Sequence, residues 1–138
     1  MSTTPSSQDA AIRQTIDRWL KAVQSRDLKG VTANHTQDVV MFDVPLPVVL
    51  RGLDAYRDTW PPFFDWQRQG EGTFEIVSLD VTADERVAFA TAVLRCGSKE
   101  ELSRDNTPKL RLTIGLRKER DQWLIAHEHH SFPVEPAA

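Results

Sequence analysis

Three of the four histidines in this 138-residue chain fall within four consecutive positions: His127, His129 and His130, with Glu128 among them. They lie in the segment Trp123-Leu-Ile-Ala-His-Glu-His-His-Ser-Phe-Pro133, which predicts a strand from Trp123 to Phe132. Alternate residues of a strand share a face, so His127, His129 and Ser131 point one way and Glu128 and His130 the other. Imidazoles two residues apart on a concave face can bind a metal, move a proton, or hydrogen-bond a ligand's carbonyl or acid. His127 and His129 are therefore expected to line a pocket. The competing reading is of core hydrogen-bonders or a solvated strand end. A metal would need a third ligand from elsewhere, for which His35 and Asp43 are the candidates.

Asp43 ends the apolar run Val39-Val40-Met41-Phe42. A carboxylate there is either an exposed turn residue or a buried acid. Among Phe and Trp side chains, burial would raise its pKa and suit it to act as a general base. Arg111 and Thr113 alternate with Leu110, Leu112 and Ile114. If the Arg side faces the pocket, Arg111 can pair with Asp43 or bind an anionic ligand; if the leucine side is the core, it is exposed. Trp19, Phe42, Trp60, Phe63, Phe64 and Trp66 supply either pocket walls or plain core. Cys96 has no special neighbour in sequence and reads as structural. The chain has no Gly-rich phosphate loop, CxxC pair, HExxH or GxSxG, and neither a metal nor an organic cofactor is expected.

The elements that must position these residues follow from periodicity. Ile12, Ile16, Trp19, Leu20 and Val23 form one helical stripe, with Ser6 as N-cap and an end near Ser25. Asp27 caps a short second helix that reaches about His35 and turns Leu28 and Val31 inward. Val39–Val44 reads as a strand ended by Pro45 and Pro47, and Arg51-Gly52 as a turn. A third helix runs from Leu53 to Trp60, is interrupted by Pro61-Pro62, and continues through Phe63, Phe64 and Trp66. Four strands follow: Thr73–Val81, Arg86–Cys96, Lys109–Lys118 and Trp123–Phe132, with turns at Thr82–Glu85 and Glu119–Gln122. Helices first and hairpins afterwards predict an α+β domain with an antiparallel sheet. Ala88, Ala90 and Ala92 make the second of these strands weakly alternating. A cover on both faces would explain that, and a subunit interface is one candidate.

One domain is expected at this length, spanning 9–133, with a flexible tail at 1–8 and a short C-terminal tail at 134–138. Hydrophobic residues make up 40% and charged residues 27%, with a net charge of −3, an ordinary soluble balance. Lys and Arg are scattered, so no nucleic-acid footprint appears. No apolar run approaches the ~20 residues of a membrane span. Met1–Gln8 lacks the pattern of a signal peptide. With its single cysteine the chain has no internal disulfide, and a cytoplasmic location is expected.

The capped second helix, Thr36-Gln37-Asp38-Val39-Val40, the strand leading to Asp43, and Arg51-Gly52 before a helix resemble the first half of SnoaL-like and ketosteroid-isomerase-like proteins. The close from Trp123 to Pro133 resembles the W-x-I-x-H-x-H-x-S-x-P ending of small SnoaL-like proteins and of the association domain of calcium/calmodulin-dependent kinase. The resemblance spans residues 9 to 133. It implies the cone-shaped, cystatin-like fold of the nuclear transport factor 2-like superfamily, with N-terminal helices on a curved, mostly antiparallel sheet that encloses one pocket. It also implies a homodimer paired through the sheet. In ketosteroid isomerase an Asp at the end of the first strand is the proton-shuttling base, and Asp43 falls at the matching place. That enzyme's oxyanion hole uses a first-helix Tyr and a protonated late-strand Asp; the matching positions here are Trp19 and Thr113 or Ile114. The expectation is thus a small-molecule protein, acting by proton abstraction next to a carbonyl on a largely apolar substrate to isomerise, cyclise or dehydrate it. Asp43, His127 and His129 would carry the chemistry. Trp19, His35, Phe42, Trp60, Phe64, Arg111, Thr113 and Ser131 would hold the substrate. The alternatives are a non-catalytic ligand-binding or oligomerisation module, and, third, a metal-dependent enzyme.

Overall fold

The apolar stripe of the first helix faces inward as its spacing requires. In the computed structural model, which describes residues 7–70, 73–98, 100 and 109–134, helix α1 spans Ser7–Gln24. It buries Ile12, Ile16, Trp19 and Val23. Its outer face is polar and carries two (i, i+4) ion pairs, Asp9–Arg13 at 2.7 Å and Asp17–Lys21 at 2.9 Å. Asp27 caps α2 (Leu28–Thr32) as expected, its carboxylate accepting from the Gly30 N–H at 3.1 Å. The Ser6 cap and most of both predicted tails lie outside the described residues. Gln8, placed in the N-terminal tail by the sequence, sits in α1, where its Oε1 accepts from Trp123 Nε1 at 2.9 Å.

Strand β1 (His35–Phe42) starts four residues before the predicted Val39. Its polar opening does not read as a strand, but the chain pairs there with the last strand: Ile125 N–H donates to the Asn34 carbonyl at 2.7 Å. A two-residue strand, β2 (Leu50–Arg51), pairs with β1 where a turn was expected. Helix α3 (Leu53–Arg57) is shorter than predicted, and α4 (Trp60–Gly70) begins at Trp60. Pro61 and Pro62 therefore open a helix rather than interrupt one. The first turn is where proline's missing N–H costs nothing and its fixed φ helps.

The remaining strands are β3 (Thr73–Ala83), β4 (Val87–Gly97), β5 (Lys109–Glu119) and β6 (Gln122–Ser131). The sheet order is β2-β1-β6-β5-β4-β3. Every neighbouring pair is antiparallel except β1 with β6, which is parallel. The β5–β6 hairpin turns at Arg120 and Asp121, both at positive φ (51° and 63°), the primed geometry that matches strand twist. Bulges interrupt β3 near Val77 and β6 near Ala126, and such bulges bend and curl a sheet. Ala88, Ala90, Ala92 and Leu94 face the helices, while Val87 and Phe89 stand on the outer face. The core is capped by aromatic rings in edge-on contact: Trp19 lies 6.1 Å from Trp60 and 5.7 Å from Phe74, between ring centroids.

Gly52 joins β2 to α3 at φ 92°, ψ 157°, a region open essentially to glycine alone. Its N–H donates to the Val39 carbonyl at 2.8 Å, so the turn also ties β1 to α3. We expect Gly52→Ala to lower unfolding free energy by ~1–3 kcal/mol, measured by urea denaturation; an unchanged midpoint would contradict this reading.

Candidate active site

Glu128, in β6, has no solvent exposure. A bare carboxylate there would be prohibitively costly, so its oxygens must find donors. One oxygen, Oε2, accepts from His35 Nε2 at 2.6 Å and from the Tyr56 hydroxyl at 2.7 Å. The other, Oε1, accepts from His130 Nε2 at 2.8 Å. Tyr56 in turn accepts from Trp19 Nε1 at 2.9 Å. The donors to Glu128 come from β1, α3 and β6 itself, and α1 joins the network one step away through Trp19 and Tyr56.

Burial pushes the Glu128 carboxyl up, but the hydrogen bonds from His130 and His35 outweigh it and hold the pKa at about 2. Glu128 is therefore an anion. Burial, and then the Glu128 charge beside it, drive the Tyr56 phenol well above its ordinary value, so Tyr56 stays a donor. His35 Nδ1 is buried without a partner. Because the Glu128 carboxylate can only accept, Nε2 of His35 is the donor in their contact. The His35 ring also lies against Tyr56, with centroids 4.3 Å apart.

Beside this network opens a cavity of about 330 Å³. Its walls include Met41, Trp60, Phe63, Phe74, Leu110 and Phe132, and its polar lining includes Asp43, Thr59 and His130. Trp60 and His130 thus belong both to the cavity wall and to the aromatic and polar packing beneath it. With Nε2 engaged by Glu128, Nδ1 is the nitrogen that the His130 ring has left for the cavity it lines. Asp43 is half-buried, and its Oδ1 accepts from the neighbouring Val44 N–H at 2.8 Å.

The sequence expectation had the two faces of β6 reversed. Trp123 and Ile125 point inward, and strict alternation would carry His127 and His129 inward with them. The extra residue at Ala126 shifts the phase, because Leu116 pairs with Ile125 but Gly115 pairs with His127. A one-residue slip exchanges the faces. Beyond it Glu128 and His130 are buried, while His127 is half-buried and His129 exposed. On the outer face His127 Nδ1 donates to the Val40 carbonyl at 2.7 Å. Phe42 packs edge-on against both outer histidines, at 5.0 and 5.3 Å. Arg111 is exposed and donates to Ser131 Oγ at 3.2 Å; Thr113 is exposed beside His129. None of these six residues reaches the cavity.

Of the remaining expected residues, Asp43 and Trp60 line the cavity, Trp19 and His35 sit in the Glu128 network, and Phe64 is buried against Trp60 at 5.9 Å. His35 is thus separated from His127 and His129 by the sheet. Among the described residues no three His, Cys, Asp or Glu are arranged to hold a metal ion. Glu128, His130 and Tyr56 were not anticipated as site residues. One sequence signal pointed to the phase change: Gly115 inside a strand, a common mark of a bulge. A Cβ there would lie 3.2 Å from His127 Cβ.

Helices over a curved, unclosed sheet with a cavity between them define the cystatin-like, NTF2-like class of α+β proteins. A SnoaL-like domain model matches residues 12–135, and the chain belongs to that family. Among solved structures, an NTF2-like protein of unknown function from Pseudomonas putida KT2440 is 33% identical, with a TM-score of 0.83 over 98% of this chain and 91% of that one. An NTF2-like protein with a cystatin-like fold from Novosphingobium aromaticivorans is 14% identical, with a TM-score of 0.74 over 93% of this chain and 83% of that one. A ketosteroid isomerase-like protein from Erwinia carotovora atroseptica is 18% identical, with a TM-score of 0.71 over 95% of this chain and 100% of that one. Comparison with curated protein sequences gives no match. No helix among the described residues is long and apolar enough to cross a membrane.

The Glu128 carboxyl is depressed from 4.5 to about 2 on folding, so its contribution is present above the unfolded value and lost as pH falls through the folded one. At about 1.4 kcal/mol per unit this corresponds to roughly 3 kcal/mol. We expect the urea midpoint to fall steeply as pH is lowered from about 5 to about 3, and Glu128→Gln to be less stable at neutral pH with a flatter acid profile. Equal acid sensitivity in the variant would remove Glu128 as its source.

Proposed function

We propose that this SnoaL-like protein binds a small, largely apolar carbonyl compound and moves a proton next to the carbonyl, with His130 and Asp43 as the proton carriers. One observation carries the reading: His130 lines the cavity while its Nε2 is held on the buried Glu128 carboxylate. An imidazole so held can take up a proton on Nδ1, because the charge it gains faces a fixed anion. Asp43 lines the same cavity with no comparable buried partner and is the second carrier. In an isomerisation His130 removes the proton from one carbon and returns it to another. In a dehydration or cyclisation Asp43 handles the second proton. The apolar walls strip water from the reacting group. Family membership supports a small-molecule site, while fold alone leaves the chemistry open.

We also propose that two copies pair through the outer sheet face, where Phe42, Val87 and Phe89 stand exposed. With its cavity between sheet and helices, pairing on that face leaves the site open.

The chemistry can be read without knowing the natural substrate. Incubated with 2-tetralone in deuterated buffer, the protein should speed exchange of the α-hydrogens, followed by NMR. We expect His130→Ala to lower the acceleration by at least ~100-fold and Asp43→Asn by about tenfold. No acceleration, with 2-tetralone bound, would leave a binding module without turnover; a larger loss in Asp43→Asn than in His130→Ala would reverse the assignment. For pairing, light scattering should give about twice the 15.7 kDa chain mass, with Phe89→Lys returning it to the single chain, whereas a monomeric native protein would sink the idea.

A further inference from the structure

The polar side chains of the cavity have an unusual bias once their protons are followed. Thr59 lines it, but its hydroxyl proton is committed to the Tyr56 carbonyl at 2.7 Å, leaving lone pairs to offer. Asp43 is a carboxylate and offers lone pairs only. In His130 the Nε2 proton lies on Glu128 Oε1, which, as an anion, can only accept. With its proton held on Nε2, the ring presents a bare Nδ1. The Trp60 Nε1 is buried, and its N–H acts on the Tyr56 hydroxyl rather than on the cavity. The Cys96 thiol, the other polar side chain on the wall, is a weak donor.

We propose that the resting cavity is an acceptor site, matched to the hydroxyl-bearing form of its ligand, an enol or a phenol, rather than to a ketone or an enolate. Glu128 acts as the positioning residue, because among the described residues it is the one that holds a nitrogen of the His130 ring. The inference deepens the proposed function and rests on the same site, but it does not require turnover. It also fits the proton's path. After His130 takes a proton from carbon, Nδ1–H is a donor beside the carbonyl oxygen; handing that proton over produces an enol and restores the acceptor that holds it. The atoms balance, since the C–H proton becomes the O–H proton and no co-reactant enters.

Two measurements test this, independently of any activity. The first is ring-nitrogen NMR of His130 in the wild-type protein. We expect the Nε2–H tautomer; a proton resting on Nδ1 overturns the proposal outright. The second is calorimetric binding of 2-naphthol against 2-methoxynaphthalene at neutral pH, where 2-naphthol keeps its proton. Burying an acceptor unpaired is penalised, so we expect 2-naphthol to bind at least ~10-fold tighter. Equal affinities, a preference for the ether, or affinity that grows as 2-naphthol ionises would each overturn it. In Glu128→Gln the amide can donate to Nε2 and drive the proton to Nδ1, so the preference for 2-naphthol should vanish while 2-methoxynaphthalene still binds. If that variant fails to fold, Tyr56→Phe, which keeps the carboxylate, should retain both the tautomer and the preference. Failure of 2-tetralone exchange alongside a clear preference for 2-naphthol would reject the catalytic reading and leave the acceptor site standing.

Discussion

A carboxylate sealed in a protein interior must be surrounded by donors, and Glu128 organises this fold around that requirement. Trp19 from α1 supports Tyr56 from α3, and Tyr56, His35 and His130 converge on the two oxygens. Each partner comes from an element that also buries apolar surface nearby, so the hydrogen bonds and the aromatic packing of Trp19, Trp60 and Phe74 specify the same arrangement. A polar network of this kind contributes little net free energy while intact. Removing one member leaves a buried charge short of a partner, which is strongly unfavourable. The helices are thereby locked onto the sheet at the place where the cavity opens.

That lock depends on a local irregularity. Without the extra residue at Ala126, the inward phase of Trp123 and Ile125 would bring His127 and His129 to the interior and expel Glu128. The bulge reverses this over a single residue, and the glycine opposite allows the close approach it needs. Sheet curvature and site chemistry thus share one cause. The same phase sets the outer face, where His127 and His129 pack around Phe42 and serve the surface rather than the cavity.

The cavity inherits its character from both layers. Its walls are greasy because α4 and the inner faces of β1, β3 and β5 supply Trp60, Phe63, Met41, Phe74 and Leu110. Among the described residues its direct link to the buried anion is the His130 ring. Proteins of this fold carry many unrelated chemistries, so the chemistry must be argued from these few polar atoms and not from the fold.

Much of the architecture was legible in the linear order of residues. The stripe from Ile12 to Val23, the Asp27 cap, the paired turns and the alternating later strands are local signals, and local signals follow from helical and strand periodicity. The SnoaL-like resemblance was legible too, because it rests on short motifs at the ends of elements. Asp43 and Trp60, each next to a predicted break, line the cavity. The identity of the inward histidine was not legible. It turns on whether one residue is inserted into a hydrogen-bonded ladder, and that depends on the partner strand and not on the strand itself. Nor could the sequence show that His35 and Tyr56, far from Glu128 along the chain, would meet it. Residue order determined which groups were available and where the elements began. The tertiary structure alone decided which of them met in the interior, because burying a charge is possible only where several distant segments bring their donors to it at once.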